Sequence, residues 1–287
     1  MRWQTGHCLW AAALLAFVSG AVQAGDGNVV SAGGSITEIV YALGEQDRLI
    51  ARDTTSTFPE EAQKLPNVGY VRALSPEGVL ALRPGLILAE ADAGPPETLD
   101  LLRDSGVPLV LIPDVPTTDG ITAKIRAVGD ALGATEPADQ LAQQVAAQMQ
   151  LVAERAAGVP EESRKRVLFV LSLQGGRILA AGQETEASSV IELAGAVNAM
   201  NGFTGYKPVS EEAVIAAAPD IILMMNRGSA GMADDAAILA VPALAATPAG
   251  KDNSLIRMDG QYLLGFGPRT AQAVTELAER IYGPTGS

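Results

Sequence analysis

Leu74-Ser75-Pro76-Glu77-Gly78-Val79-Leu80-Ala81, followed after two residues by Pro84-Gly85-Leu86-Ile87-Leu88, has an ungapped echo 135 residues further on. The second copy is Val209-Ser210-Glu211-Glu212-Ala213-Val214-Ile215-Ala216 and then Pro219-Asp220-Ile221-Ile222-Leu223. Each copy has a serine where a short helical stretch begins and breaks at proline. Each ends in a continuous apolar run of the kind a buried parallel strand needs. A unit present twice in one register implies two similar lobes facing each other across a cleft, where ligands usually bind. The loops leaving the carboxyl ends of the parallel strands would line that cleft.

Outward from the first copy, the same alternation continues. Asn28 to Ser31 is strand-like, and Ser35-Ile36-Thr37-Glu38 reads as a capping box for the helix that follows. Gly33-Gly34 precedes that helix, a position that suits a phosphate, but no nucleotide fingerprint accompanies it. Leu49 to Ala51, Leu86 to Ala89 and Pro108 to Ile112 are further strands. Helices over Glu77 to Leu82 and Glu97 to Ser105 separate the later ones. This β-α order predicts a parallel, doubly wound sheet. From Gly120 to Ala157 the pattern is helical, with Ile121, Ile125, Val128, Leu132, Leu141, Val145, Met149 and Val152 apolar, and Gly133 and Pro137 divide it in two. A second β-α series starts at Val167, with a second capping box expected at Ser189-Val190-Ile191-Glu192. The organisation read from this is a secretory signal over 1–24, an N-terminal lobe over 25–119, a helical connector over 120–160 and a C-terminal lobe over 161–287.

The signal reading rests on Arg2, an apolar run from Leu9 to Val18 and small residues at Val22 and Ala24 before a cut at Gly25. The cut would remove His7, Cys8, Trp3 and Trp10, so the remainder holds no imidazole, thiol or indole. That excludes Ser-His-Asp and Cys-His nucleophilic machinery, and zinc sites built from His or Cys. The full chain carries a net charge of −13; losing Arg2 leaves 19 basic against 33 acidic side chains. Such a balance argues against nucleic acid and anionic membrane as partners. Cys8 precedes the apolar run, so it does not suit a lipid anchor. No later stretch is long enough to span a bilayer, and an unanchored periplasmic protein is expected.

Asn67-Val68-Gly69-Tyr70-Val71-Arg72-Ala73 leads into the first repeat and presents a phenol and a guanidinium two residues apart. With Ala180-Ala181-Gly182 and Leu264-Gly265-Phe266-Gly267-Pro268-Arg269, this stretch resembles the periplasmic substrate-binding proteins of cobalamin, siderophore and haem uptake, and the haem-binding subgroup in particular. The resemblance covers nearly all of the chain after the signal. It implies a class III periplasmic binding protein, two Rossmann-like α/β lobes joined by a long helix. It also implies a carrier, not an enzyme, that brings haem as a monomer to an ABC importer of permease and ATPase. Tyr70 then corresponds to the axial ligand of ferric haem. Arg72 corresponds to a propionate or phenolate partner, and Arg227 to a second cation reaching the phenolate from the other lobe. Phenolate oxygen suits ferric iron; a free phenol titrates near pH 10, and iron with a nearby cation favours the anion. Some relatives hold a second haem or a sixth ligand through a histidine of the second lobe. Without one, a single haem on tyrosine alone is expected. Glu77 and Glu212, matched in the repeat, correspond to the glutamates that meet arginines of the two permease subunits.

Several residues have plainer readings. Tyr206 falls one position out of register with Tyr70 and reads as cleft lining at most. Met224 and Met225 end an apolar strand and suit core packing. Phe203 and Phe266 suit either a porphyrin face or the core. The alternatives to haem are cobalamin or a ferric siderophore in the same class. An exported enzyme using a carboxylate pair on this scaffold is the rival of a different kind, and no closely spaced pair supports it.

Overall fold

The computed structural model describes residues 27–226 and 234–284. The expected signal over 1–24 and the candidate Arg227 lie outside these. The first lobe is built from β1 (Val29–Ala32), α1 (Gly34–Ala42), β2 (Leu49–Arg52), a small hairpin of β3 (Gly69–Tyr70) and β4 (Ala73–Leu74), α2 (Pro76–Leu80), β5 (Leu86–Glu90), α3 (Pro96–Asp104) and β6 (Leu109–Ile112). Its main sheet runs β2-β1-β5-β6 with every pairing parallel, as the alternation predicts. Two helices follow, α4 (Thr118–Leu132) and α5 (Thr135–Ala157). Gly133 separates them in the left-handed conformation, at φ 72°, as the C-terminal cap of α4. Pro137 lies inside the first turn of α5, where its missing N–H costs no helical hydrogen bond.

The second lobe comprises β7 (Arg166–Gln174), β8 (Arg177–Ala181), α6 (Glu186–Leu193), β9 (Val197–Asn198), β10 (Tyr206–Val209), α7 (Glu211–Ala217) and β11 (Ile221–Asn226). Beyond 234 come α8 (Asp235–Leu239), α9 (Pro242–Ala245), α10 (Pro248–Lys251), β12 (Leu255–Asp259), α11 (Gly260–Leu264) and α12 (Thr270–Tyr282). Its sheet departs from the parallel expectation. β7, β11, β12 and β9 pair in parallel, but β8 and β10 are antiparallel. Gly175 and Gly176 both have positive φ and turn β7 directly into β8, a two-residue hairpin that permits only an antiparallel neighbour.

The repeat is visible in the backbone. Ser75 Oγ caps α2 by accepting from Gly78 N–H, and Ser210 Oγ caps α7 from Ala213 N–H. Val79 and Val214 are the buried residues of those helices, and Arg83 and Ala218 both adopt positive φ at the turn into the next strand. The two expected capping boxes are not formed. α1 starts at Gly34 with no side-chain cap: Ser35 Oγ donates to Glu90 and Glu38 pairs with Arg269. α6 is capped by Thr185, which accepts from Ser188 N–H, so Ser189 lies inside the helix. At both places the box residues found stronger tertiary or earlier local partners.

Among the described residues, three hydrophobic clusters organise the packing. Two lie within single lobes, around Ile87 and Leu102 in the first and Leu168 and Ile222 in the second. The largest is continuous through Ile36, Leu88, Ile125, Val145, Phe169 and Leu277, so both lobes share a core with α4 and α5. α4 packs on α1, and α5 packs on α6 and α12. A shared core resists hinge bending, because interiors are close-packed and any opening would expose apolar area. Among the described residues no helix is long and apolar enough to cross a membrane.

A candidate ligand site at the lobe seam

The side of the first sheet at its strands' carboxyl ends meets the second lobe. Arg269, just before α12, donates from its guanidinium to Glu38 at 2.8 Å and from its backbone N–H to the same carboxylate at 3.1 Å. The guanidinium also stacks on Phe58, 3.5 Å from the ring centroid, and approaches Tyr262 at 4.9 Å. Lys124 of α4, fully buried, donates to Asp114 at 2.6 Å, Ser35 at 3.1 Å and the Gly265 carbonyl at 3.2 Å. Beside it, burial pushes the Glu90 carboxyl up to about 7, with the Lys124 charge acting against the rise. The seam is therefore tied by buried polar groups from α1, β5, α4 and the loop ahead of α12.

Tyr70 stands on the β3–β4 hairpin, which is anchored on both flanks. Thr54 N–H donates to the Gly69 carbonyl at 2.8 Å, and Gly94 N–H and Leu74 N–H exchange bonds with Val71 and Gly94 across to the loop after β5. Val71 and Leu74 are buried beneath, whereas Tyr70 is 43% exposed. Gly69 has φ 100°, a conformation strained for any L side chain, and Asn67 Oδ1 accepts its N–H at 2.8 Å. This turn aims the phenol outward, on the side where the strands' carboxyl-end loops lie.

Arg72 lies beside the phenol: its Nη1 donates to Tyr70 Oη at 2.8 Å. Its Nε donates to Asp92 at 2.7 Å and its Nη2 binds the same carboxylate oxygen. Partial burial opposes the Arg72 charge, but the bonds to Asp92 and Tyr70 outweigh it and raise the guanidinium above its ordinary value. Asp92 thereby occupies the Nε–Nη2 edge of the guanidinium. Asp92, in the loop after β5, was not among the residues singled out in the sequence. A signal for it exists, since Asp92 and Arg227 occupy the same place in the 135-residue repeat.

The other residues separate cleanly. Tyr206 Oη donates to Glu186 at 3.0 Å and its ring meets Phe169 edge-on. Burial, followed by the Glu186 charge, pushes the Tyr206 phenol upward, so it stays neutral, partly buried against the shared core. Phe266 is buried core, and Met224 belongs to the core of the second lobe with Met225 packed at the shared core. Phe203 packs on Gly182 with Lys207 over its ring. The Gly33 and Gly34 N–H groups are taken by Asp53 and Thr55, which leaves them none for a phosphate. Glu77 and Glu212 are both exposed in the first turns of α2 and α7. Hydrogen bonds from its own backbone and from Ser210 hold the Glu212 carboxylate below the usual range. An open recess of about 310 Å³ is lined by Glu154, Arg155, Val159, Ala194 and Tyr282, and none of the candidate residues borders it.

Residues 29–262 match the family described as periplasmic binding protein. The structure is similar to that of a periplasmic heme-binding protein, BhuT, in complex with two hemes, at 41% identity, TM-score 0.83, covering 88% of this chain and 97% of that one. It is also similar to the heme-binding protein RhuT from Roseiflexus sp. RS-1 in apo form, at 40% identity, TM-score 0.84, covering 89% and 97%. A vitamin B12-binding protein of Pectobacterium atrosepticum is 30% identical over 200 residues, covering 68% of this chain and 70% of its own.

Proposed function

The chain belongs to the periplasmic binding protein family, and from that premise we propose that it binds haem outside the cytoplasm and carries it to an inner-membrane ABC importer. The observation that carries this reading is Tyr70, exposed on an anchored hairpin with Arg72 donating to its oxygen. Arg72 holds a charged donor on the oxygen that would meet the iron, and phenolate oxygen suits ferric iron. No histidine or cysteine follows Cys8 in the sequence, so no imidazole or thiolate of the exported chain competes for the metal. We read a single ferric haem on Tyr70, with Arg227 as a second cation on the phenolate. The lobes are 25–119 and 161–287 on a connector over 120–160, exported by the signal over 1–24 to the periplasm and acting as a monomer. The role is binding and delivery with no bond-making. Similarity to a vitamin B12-binding protein keeps cobalamin as the second reading, and an exposed tyrosine, a residue type that suits ferric iron, favours haem over it.

Absorbance titration with hemin tests the reading. Wild type is expected to give a ferric tyrosinate spectrum and Tyr70→Ala to lose it, whereas cyanocobalamin should not compete. Hemin binding unchanged in Tyr70→Ala would remove Tyr70 as the ligand. Glu77 and Glu212 are read as the paired contacts for the two permease subunits, supported by their exposure at equivalent places on the two lobes. Glu77→Ala with Glu212→Ala should leave hemin affinity intact and lower uptake into vesicles carrying the importer. Loss of hemin binding in that pair would place the carboxylates in the site instead.

A further inference from the structure

We infer that Asp92 is a positioning residue that holds the Arg72 guanidinium with one nitrogen on the Tyr70 oxygen and withholds its other edge from the ligand's carboxylates. This rests on the reading of Tyr70 as the haem ligand.

An arginine has a long, mobile side chain, and one that is half exposed has no reason to keep a single rotamer. Arg72 is half exposed, as is Asp92. An exposed ion pair of this kind contributes little stability. Its geometry, however, is specific. Asp92 takes Nε and Nη2, the two nitrogens of one guanidinium edge, and only Nη1 is left to point at Oη. The backbone fixes both ends of the arrangement. The hairpin that carries Arg72 and the loop that carries Asp92 are joined by Leu74 N–H to the Gly94 carbonyl at 2.8 Å and Gly94 N–H to the Val71 carbonyl at 3.0 Å. Val71, Leu74 and Ala93 are buried between them. Asp92 therefore presents its carboxylate from a fixed distance and direction.

The charge has a second effect. A free guanidinium beside the iron would attract a haem propionate as readily as the phenolate. With Asp92 on it the pair is neutral, and a propionate approaching that edge meets a carboxylate. Arg72 is thereby reserved for the phenolic oxygen, and the propionates are directed away from Asp92.

Hemin complexes of wild type, Asp92→Ala, Arg72→Ala and the double variant test this. Dissociation of hemin into excess apomyoglobin should be about tenfold faster in Asp92→Ala, as in Arg72→Ala, since a hydrogen bond to a charged oxygen is being lost in both. The tyrosinate charge-transfer band should shift the same way in both. The double variant should match Arg72→Ala alone, because Asp92 acts only through Arg72. The inference is overturned if Asp92→Ala behaves as wild type while Arg72→Ala does not, or if the two effects multiply. A Tyr70→Ala protein that keeps the wild-type band would instead overturn the underlying ligand assignment, a result separate from either.

Discussion

Glu90 sits at the carboxyl end of β5 with its side chain enclosed by the seam, accepting from Ser35 Oγ at 3.0 Å. Burial raises it from 4.5 to about 7, with Asp114 and Asp92 adding to the rise and Lys124 and Ser35 opposing it. The sign of the linkage follows. A raised carboxyl favours the protonated form in the folded state, so its stabilising contribution is complete below pH 4.5. That contribution is lost as pH climbs toward 7, because the unfolded chain ionises first. A rise of that size corresponds to roughly 3 kcal/mol. Glu90→Gln keeps an acceptor for Ser35 and cannot ionise. Urea unfolding of both proteins at pH 4.5, 6 and 8 isolates the effect from the many exposed acids, which are common to both. Wild type should lose about 3 kcal/mol more than Glu90→Gln across that range. Parallel profiles for the two would refute the assignment and mean that Lys124 keeps Glu90 ionised throughout.

Two further substitutions probe the frame. Arg269→Ala removes the partner of Glu38, whose side chain is only 6% exposed, and the cation between Phe58 and Tyr262. The uncompensated carboxylate should cost about 3 kcal/mol in urea unfolding at pH 7, with Glu38→Gln recovering part of it; a loss below about 1 kcal/mol would show the seam to be water-filled. Gly182 approaches Phe203 so closely that a Cβ would lie 2.3 Å from the Phe203 carbonyl oxygen. Gly182→Ala should therefore lower the unfolding free energy by roughly 1–3 kcal/mol, and a neutral result would mean β8 can move away from that loop.

The seam gives meaning to motifs that were legible only as resemblance. Phe266-Gly267-Pro268-Arg269 carries a core phenylalanine and the arginine that clamps α1. Ala180-Ala181-Gly182 lies where β8 meets the Phe203 loop. The site itself was half legible. Tyr70 and Arg72 are two residues apart and their contact is local, so the sequence alone brought them together. Asp92 is 20 residues from Arg72 and meets it because the β3–β4 hairpin docks on the loop after β5. The repeat register, in which Asp92 matches Arg227, was the one available hint.

What the order of residues determined by itself was local or periodic. The β-α alternation, the repeat at 135 residues, the helix starts after Ser75 and Ser210 and the division of the connector at Gly133 depend on side-chain periodicity and near-neighbour hydrogen bonds. Only the tertiary structure decided where long polar side chains go. Ser35 and Glu38 have the spacing of a capping box, yet Glu90, Lys124 and Arg269 offered buried partners that a helix end could not match. Likewise, the apolar pattern could not distinguish the antiparallel β8 and β10 from parallel neighbours, because burial alternates the same way in either direction. Strand direction was set by the Gly175-Gly176 turn, and partner choice by the packing of one lobe against the other.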